Sequence, residues 1–110
     1  MVFHGVDVKR RFKRMRELAP EPYRSWLDFD GKAFQAGALP AKTKQLVALG
    51  IAHITQCAWC IDAHAQRARK EGVTDQEIGE VIFVAMAMAA GAAWSYGGLT
   101  LQCLDEHPDK

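Results

Sequence analysis

The sequence predicts an all-α domain of about six helices. Three observations carry that expectation. Apolar residues recur at helical spacing in successive windows, Pro and Gly gather between those windows, and no stretch alternates apolar with polar residues as a half-buried strand would. A chain of 110 residues reads as a single domain over 1–110. A domain of this size buries only about two thirds of its unfolded surface. Its 49% apolar composition leaves material for an interface, so assembly by helix packing is expected.

Over residues 6–18, Val8, Phe12, Met15 and Leu18 mark an amphipathic helix with basic residues between them. Ala19-Pro20-Glu21-Pro22 breaks it, because proline has no amide donor and restricts the residue before it. Pro22 is placed to open a second helix through Tyr23, Trp26, Leu27 and Phe34, with Asp28-Phe29-Asp30-Gly31 as a point of interruption. After the Gly37-Ala38-Leu39-Pro40 punctuation, a third helix spans about Ala41 to Thr55 and is apolar nearly all round, which marks a central element. Gly50 within it weakens the helix but lets a neighbour approach closely. Gln45, His53 and Gln56 are its polar exceptions, and Gln45 and Gln56 fall close to one line.

A fourth helix begins near Gln56 or Cys57 and runs to about Glu71, with Arg67, Arg69 and Lys70 suited to the negative end of its dipole and Gly72 as its stop. Thr74-Asp75-Gln76-Glu77 reads as a capping box opening a fifth helix that turns Ile78, Val81, Ile82, Ala85, Met86 and Ala89 inward. Ala90-Gly91-Ala92-Ala93 is expected to allow tight helix contact or a kink before a sixth helix over Trp94 to Leu104, with a loose end from Glu106 to Lys110.

The formal net charge of +1 gives no global field for nucleic acid or acidic partners. The basic run Lys9, Arg10, Arg11, Lys13, Arg14 and Arg16 reads as the solvated face of the first helix, since no nucleic-acid recognition motif accompanies it. The opening residues do not read as a secretory leader, and the apolar run Val81 to Trp94 is short and rich in Gly and Ala for a bilayer span. A reducing cytoplasm is therefore the expected compartment, with neither a membrane nor a nucleic acid as partner. There, a Cys-x-x-Cys is more often redox-active or metal-binding than a structural staple.

That motif is Cys57-Ala58-Trp59-Cys60, followed by His64. On a helix Cys60 stands about 60° from Cys57 and His64 falls between them, so one face carries two thiols and an imidazole. A helix N-terminus or a nearby imidazolium lowers the pKa of a thiol. One thiolate can then attack a peroxide O–O bond to give a sulfenic acid, the second thiol condenses with it to a disulfide, and an external dithiol restores the pair. Geometry favours Cys60 as the attacking thiol, one turn from His64. The reverse order follows from thiol–disulfide enzymes, and both stand open at this point. Cys57, Cys60, His53 and His64 also form a set of zinc-type donors, but four ligands on one continuous helix rarely surround an ion tetrahedrally, so no metal is expected. His53 is read first as a core histidine, and Cys103 as a packing residue.

Leu39-Pro40-x-Lys42-Thr43-Lys44-x-Leu46, Ala52-His53 and Cys57-x-x-Cys60-x-x-x-His64 together resemble the AhpD-like family, the alkylhydroperoxidase and carboxymuconolactone decarboxylase group, over roughly residues 35–100. The resemblance implies an AhpD-like helical fold, a homo-oligomer (trimer or hexamer), and thiol-dependent hydroperoxide reduction without a bound cofactor, using an external dithiol reductant. It assigns Cys57 and Cys60 as the redox pair and His64 as the proton-relay histidine. The family glutamate, twelve residues before the first cysteine, is here Gln45, whose carboxamide cannot take up a proton at neutral pH. Glu80 on the next helix is a candidate substitute, and His53 a further candidate. Trp59 stands where the peroxidase prototype has histidine and is read as a packing residue. Two other functions remain: a redox-sensing or weakly active oligomer of the same fold, and a carboxymuconolactone decarboxylase-type enzyme, which needs no thiol.

Overall fold

The computed structural model describes residues 8–109. Among them are five helices: α1 (Lys9–Leu18), α2 (Pro20–Phe34), α3 (Ala41–Thr55), α4 (Ala58–Lys70) and α5 (Asp75–Glu106). The expected start of the first helix at residue 6 lies outside the described residues. The chain divides into two compact units, one ending at Lys44 and one running from Gln45.

In the first unit the break between α1 and α2 is the single residue Ala19. Helix α2 opens at Pro20, two residues earlier than expected, with both prolines in its first turn, where a missing amide hydrogen leaves no helical bond unmade. The expected interruption at Asp28 to Gly31 does not occur. Asp28 and Lys32 pair across that stretch at 3.1 Å, an exposed i,i+4 contact worth only a few tenths of a kcal/mol. The glycine cost of about 1 kcal/mol is too small to end a helix whose flanking residues favour it. Helix α2 ends where Lys44 Nζ donates to the carbonyls of Ala33 and Gln35.

The second unit holds the core. Leu49, Ala68 and Val73 are buried together, with Leu46, Ala65, Ile78 and Val81 packed against them. Gly50 allows the close approach that its place in the helix suggested: a β-carbon there would stand 3.4 Å from Val81 Cγ1, at the tight end of ordinary contact. Helix α4 stops at the expected glycine. Gly72 has φ 79°, and Val73 N–H reaches back to the Ala68 carbonyl at 3.0 Å, which sends the buried Val73 into the core. The capping box forms in full. Glu77 N–H donates to Thr74 Oγ1 at 3.1 Å, and Thr74 N–H donates to Glu77 Oε1 at 2.8 Å.

Helix α5 corrects the expected count of six. It runs unbroken for 32 residues, about 48 Å, through Ala90-Gly91-Ala92-Ala93 and into the segment expected as a separate helix. The alanines propagate the helix, and Ser95 and Thr100 bond back to the carbonyls of Gly91 and Tyr96 instead of capping a new start. It carries exposed Phe83, Met88, Trp94 and Leu101. The apolar run is thus part of a longer helix than expected, and by length and composition alone that helix could cross a membrane. Only 6% of its most apolar window is buried within the chain.

Candidate redox site

Helix α3 ends at Thr55, and the chain turns at Gln56, whose φ of 56° is a left-handed conformation unusual for a residue with a β-carbon. Cys57 N–H then reaches the Ala52 carbonyl at 3.1 Å, closing the terminus of α3. Cys57 is also the N-cap of α4, and its Sγ accepts the amide hydrogen of Cys60 at 3.2 Å. One residue therefore ends one helix and starts the next, and its sulfur takes the place usually held by a hydroxyl or carboxylate oxygen. The expectation that α4 begins near Gln56 or Cys57 shifts by one or two residues. It follows that Gln56 belongs to the turn, so the helical line joining it to Gln45 ends before it.

Cys57 and Cys60 form a disulfide, with Cα atoms 5.2 Å apart. Both are half-buried. Their sulfurs meet at the N-terminal, positive end of the α4 dipole.

His64 lies one turn after Cys60 on α4, also half-buried. Its Nδ1 is 2.8 Å from Oε1 of Gln45, which reaches across from α3. Gln45 is 6% exposed and carries no charge into the interior. The place beside Nδ1 thus belongs to Gln45, while Glu80 sits at an exposed position on α5, beside a shallow groove with Gln76 and Phe83. His53 is half-buried, and its Nδ1 stands 2.7 Å from the Leu49 carbonyl of its own helix. Trp59 is half-buried, and Cys103 is an exposed free thiol on α5. Among the described residues, no three His, Cys, Asp or Glu side chains converge in a way that could hold a metal ion.

The double duty of Cys57 was not readable from the spacing. A cap is sought among Ser, Thr, Asp and Asn, and a cysteine three residues before another reads first as a redox or metal pair. The one local signal was the absence of any of those capping residues between Thr55 and Ala58 other than Thr55 itself.

The sequence model of the carboxymuconolactone decarboxylase family matches residues 20–98. A Paracoccus denitrificans protein described as uncharacterized protein 4 in the cox locus is 51% identical over 73 residues, covering 66% of each chain. A Haemophilus influenzae protein is 34% identical over 93 residues, 84% of this chain and 82% of that one. The crystal structure of a structural-genomics target from Methanobacterium thermoautotrophicum superposes with a TM-score of 0.74 at 27% identity, covering 78% of this chain and 97% of that one.

Proposed function

This chain belongs to the carboxymuconolactone decarboxylase family, and from that premise we propose that it is a thiol-dependent hydroperoxide reductase. The observation that carries the reading is the Cys57–Cys60 disulfide at the N-terminus of α4, with His64 one turn further along. A disulfide between these two cysteines is what the proposed reaction leaves behind, and it lies at a helix N-terminus, a setting that favours thiolates in general.

In the reduced protein, Cys60 gives its proton to His64, and the thiolate attacks the distal oxygen of a hydroperoxide. An S–O bond forms, the O–O bond breaks, and the departing alkoxide takes the proton from the imidazolium and leaves as an alcohol. Cys57 then attacks the sulfenic sulfur as thiolate. The sulfur–sulfur bond forms, and hydroxide departs as water after taking up a proton. An external dithiol reduces the disulfide by exchange and is itself oxidised, so one hydroperoxide and one dithiol yield one alcohol, one water and one new disulfide. Such cycling needs a compartment that keeps dithiols reduced, and the cytoplasm is the reading we adopt.

The same proposal includes assembly through α5. Phe83, Met88, Trp94 and Leu101 are between 63% and 85% exposed on a single chain. Phe83, Trp94 and Leu101 share one face of α5 by helical spacing, large exposed apolar side chains of this kind mark an interaction surface, and a second copy presents the same apolar helix.

A second reading has an observation of its own. Gln45 cannot carry a proton, which favours a redox sensor whose pair oxidises reversibly but turns over slowly. Steady-state consumption of cumene hydroperoxide with a dithiol reductant separates the two. We expect turnover that is lost in Cys57→Ser and in Cys60→Ser. Oxidation without turnover selects the sensor. Lactone decarboxylation that survives both cysteine substitutions would replace either reading.

A further inference from the structure

We infer that Gln45 is a positioning residue that fixes which nitrogen of His64 acts as the base. The inference rests on the hydroperoxide-reductase reading for its consequence, but not for its observation. A neutral imidazole has one N–H donor and one lone-pair acceptor. Oxygen Oε1 of Gln45 can only accept, and it stands 2.8 Å from Nδ1. The hydrogen is therefore on Nδ1, and the lone pair is on Nε2.

Free imidazoles of histidine in water favour the opposite tautomer, with the hydrogen on Nε2, so the protein must supply the preference. Gln45 does so from a rigid position. It is 6% exposed, four residues before Leu49 of the buried core, and it belongs to a different helix from His64. The contact ties the first turns of α3 to the middle of α4 and holds the ring plane as well as the tautomer. A carboxylate at this position would do the same and add a charge. The amide keeps the orienting hydrogen bond and leaves out the charge. Orientation of the base is thus separable from stabilisation of its protonated form, and this chain retains the first without the second.

The opposite placement of the amide is the sharp alternative. With the two ends of the carboxamide exchanged, its NH2 would donate to Nδ1. The lone pair of His64 would then be consumed by Gln45, and Nε2 would carry a hydrogen and could not take one from Cys60.

A two-bond proton–nitrogen correlation spectrum of the full-length, reduced protein labelled with 15N-histidine distinguishes them, recorded where the ring is neutral. We expect His64 Nδ1 to resonate as a protonated nitrogen and Nε2 as an unprotonated one. The reverse pattern overturns the inference whatever the peroxidase assay gives. In Gln45→Leu the preference should relax toward the solution tautomer, and oxidation of the thiol pair by hydroperoxide should slow by about ten-fold or more, within the usual contribution of a positioned base. Gln45→Glu should restore the tautomer. A Gln45→Leu protein that keeps hydrogen on Nδ1 would show that another group fixes the ring and would sink the proposal. If Gln45→Leu does not fold, the wild-type spectrum alone decides. A wild-type protein that shows the expected tautomer but no peroxide turnover would defeat the enzymatic reading and leave the role of Gln45 standing.

Discussion

The amide hydrogen of Cys60 points at the sulfur of Cys57 across 3.2 Å, so the first cysteine of the disulfide is also the cap of the helix that carries the second. The disulfide and the helix cap share one atom. Any change at Cys57 therefore has a structural effect and a chemical effect, and the two can be separated by the choice of replacement.

Cys57→Ser and Cys57→Ala should both lose the disulfide, yet differ in stability. Serine can accept the Cys60 amide hydrogen as the sulfur does, whereas alanine leaves it without that acceptor. In urea unfolding of the reduced proteins, the alanine variant should be less stable than the serine variant by about 1 kcal/mol. Equal stability would mean that the contact with Cys60 contributes nothing to the start of α4.

Gln56 holds a left-handed conformation that costs a residue with a β-carbon about 1 kcal/mol. Gln56→Gly should raise stability by roughly 0.5–1 kcal/mol, read as a higher urea midpoint with unchanged slope. Gly72→Ala makes the opposite change at the matching turn after α4, where φ is 79°, and should lower stability by about 1 kcal/mol or more. A loss on Gln56→Gly would show that the glutamine side chain does something the turn geometry does not explain.

Thr74→Ala removes the oxygen that accepts from Glu77 N–H and leaves only the backbone half of the capping box, from residue 74 N–H to Glu77 Oε1. Thermal or urea unfolding should report a loss of about 1 kcal/mol. Peroxide-driven oxidation of the cysteine pair should not change, since this cap starts α5 and the pair sits at the start of α4.

Trp94 is 85% exposed on α5. If α5 packs against a second copy, light scattering on the purified protein should give a mass of at least two chains, and Trp94→Glu should reduce it. A wild-type protein that is monomeric at micromolar concentration would remove the assembly proposal. Partition of the wild-type chain into vesicles would reassign α5 to lipid.

Much of this architecture was legible along the chain because its signals are local. Helix α3 falls at its expected bounds, and Gly72 and the Thr74–Glu77 box act as their types predict, because a turn or a cap is settled by residues within three or four positions of one another. The errors arose where a local signal had to be weighed against its surroundings. Asp28 to Gly31 and Ala90 to Ala93 looked like breaks, yet neither stops its helix, since a single glycine is a small penalty beside a long run of propagating hydrogen bonds.

The candidate site divides in the same way. Cys60 and His64 lie one turn apart on α4, where the helical repeat is enough to bring them to one face, and Cys57 precedes them as the N-cap. What chain order could not give is the contact from Gln45 to His64, nineteen residues apart. That contact needs two helices packed at a particular register around Leu49 and Ala68, and register is set by side-chain volumes meeting in three dimensions rather than by any repeat in the chain. The sequence determined which chemical groups are present and which neighbours share a helical face. The packing of α3 on α4 decided that Gln45, and not the exposed Glu80, would stand 2.8 Å from the imidazole of His64.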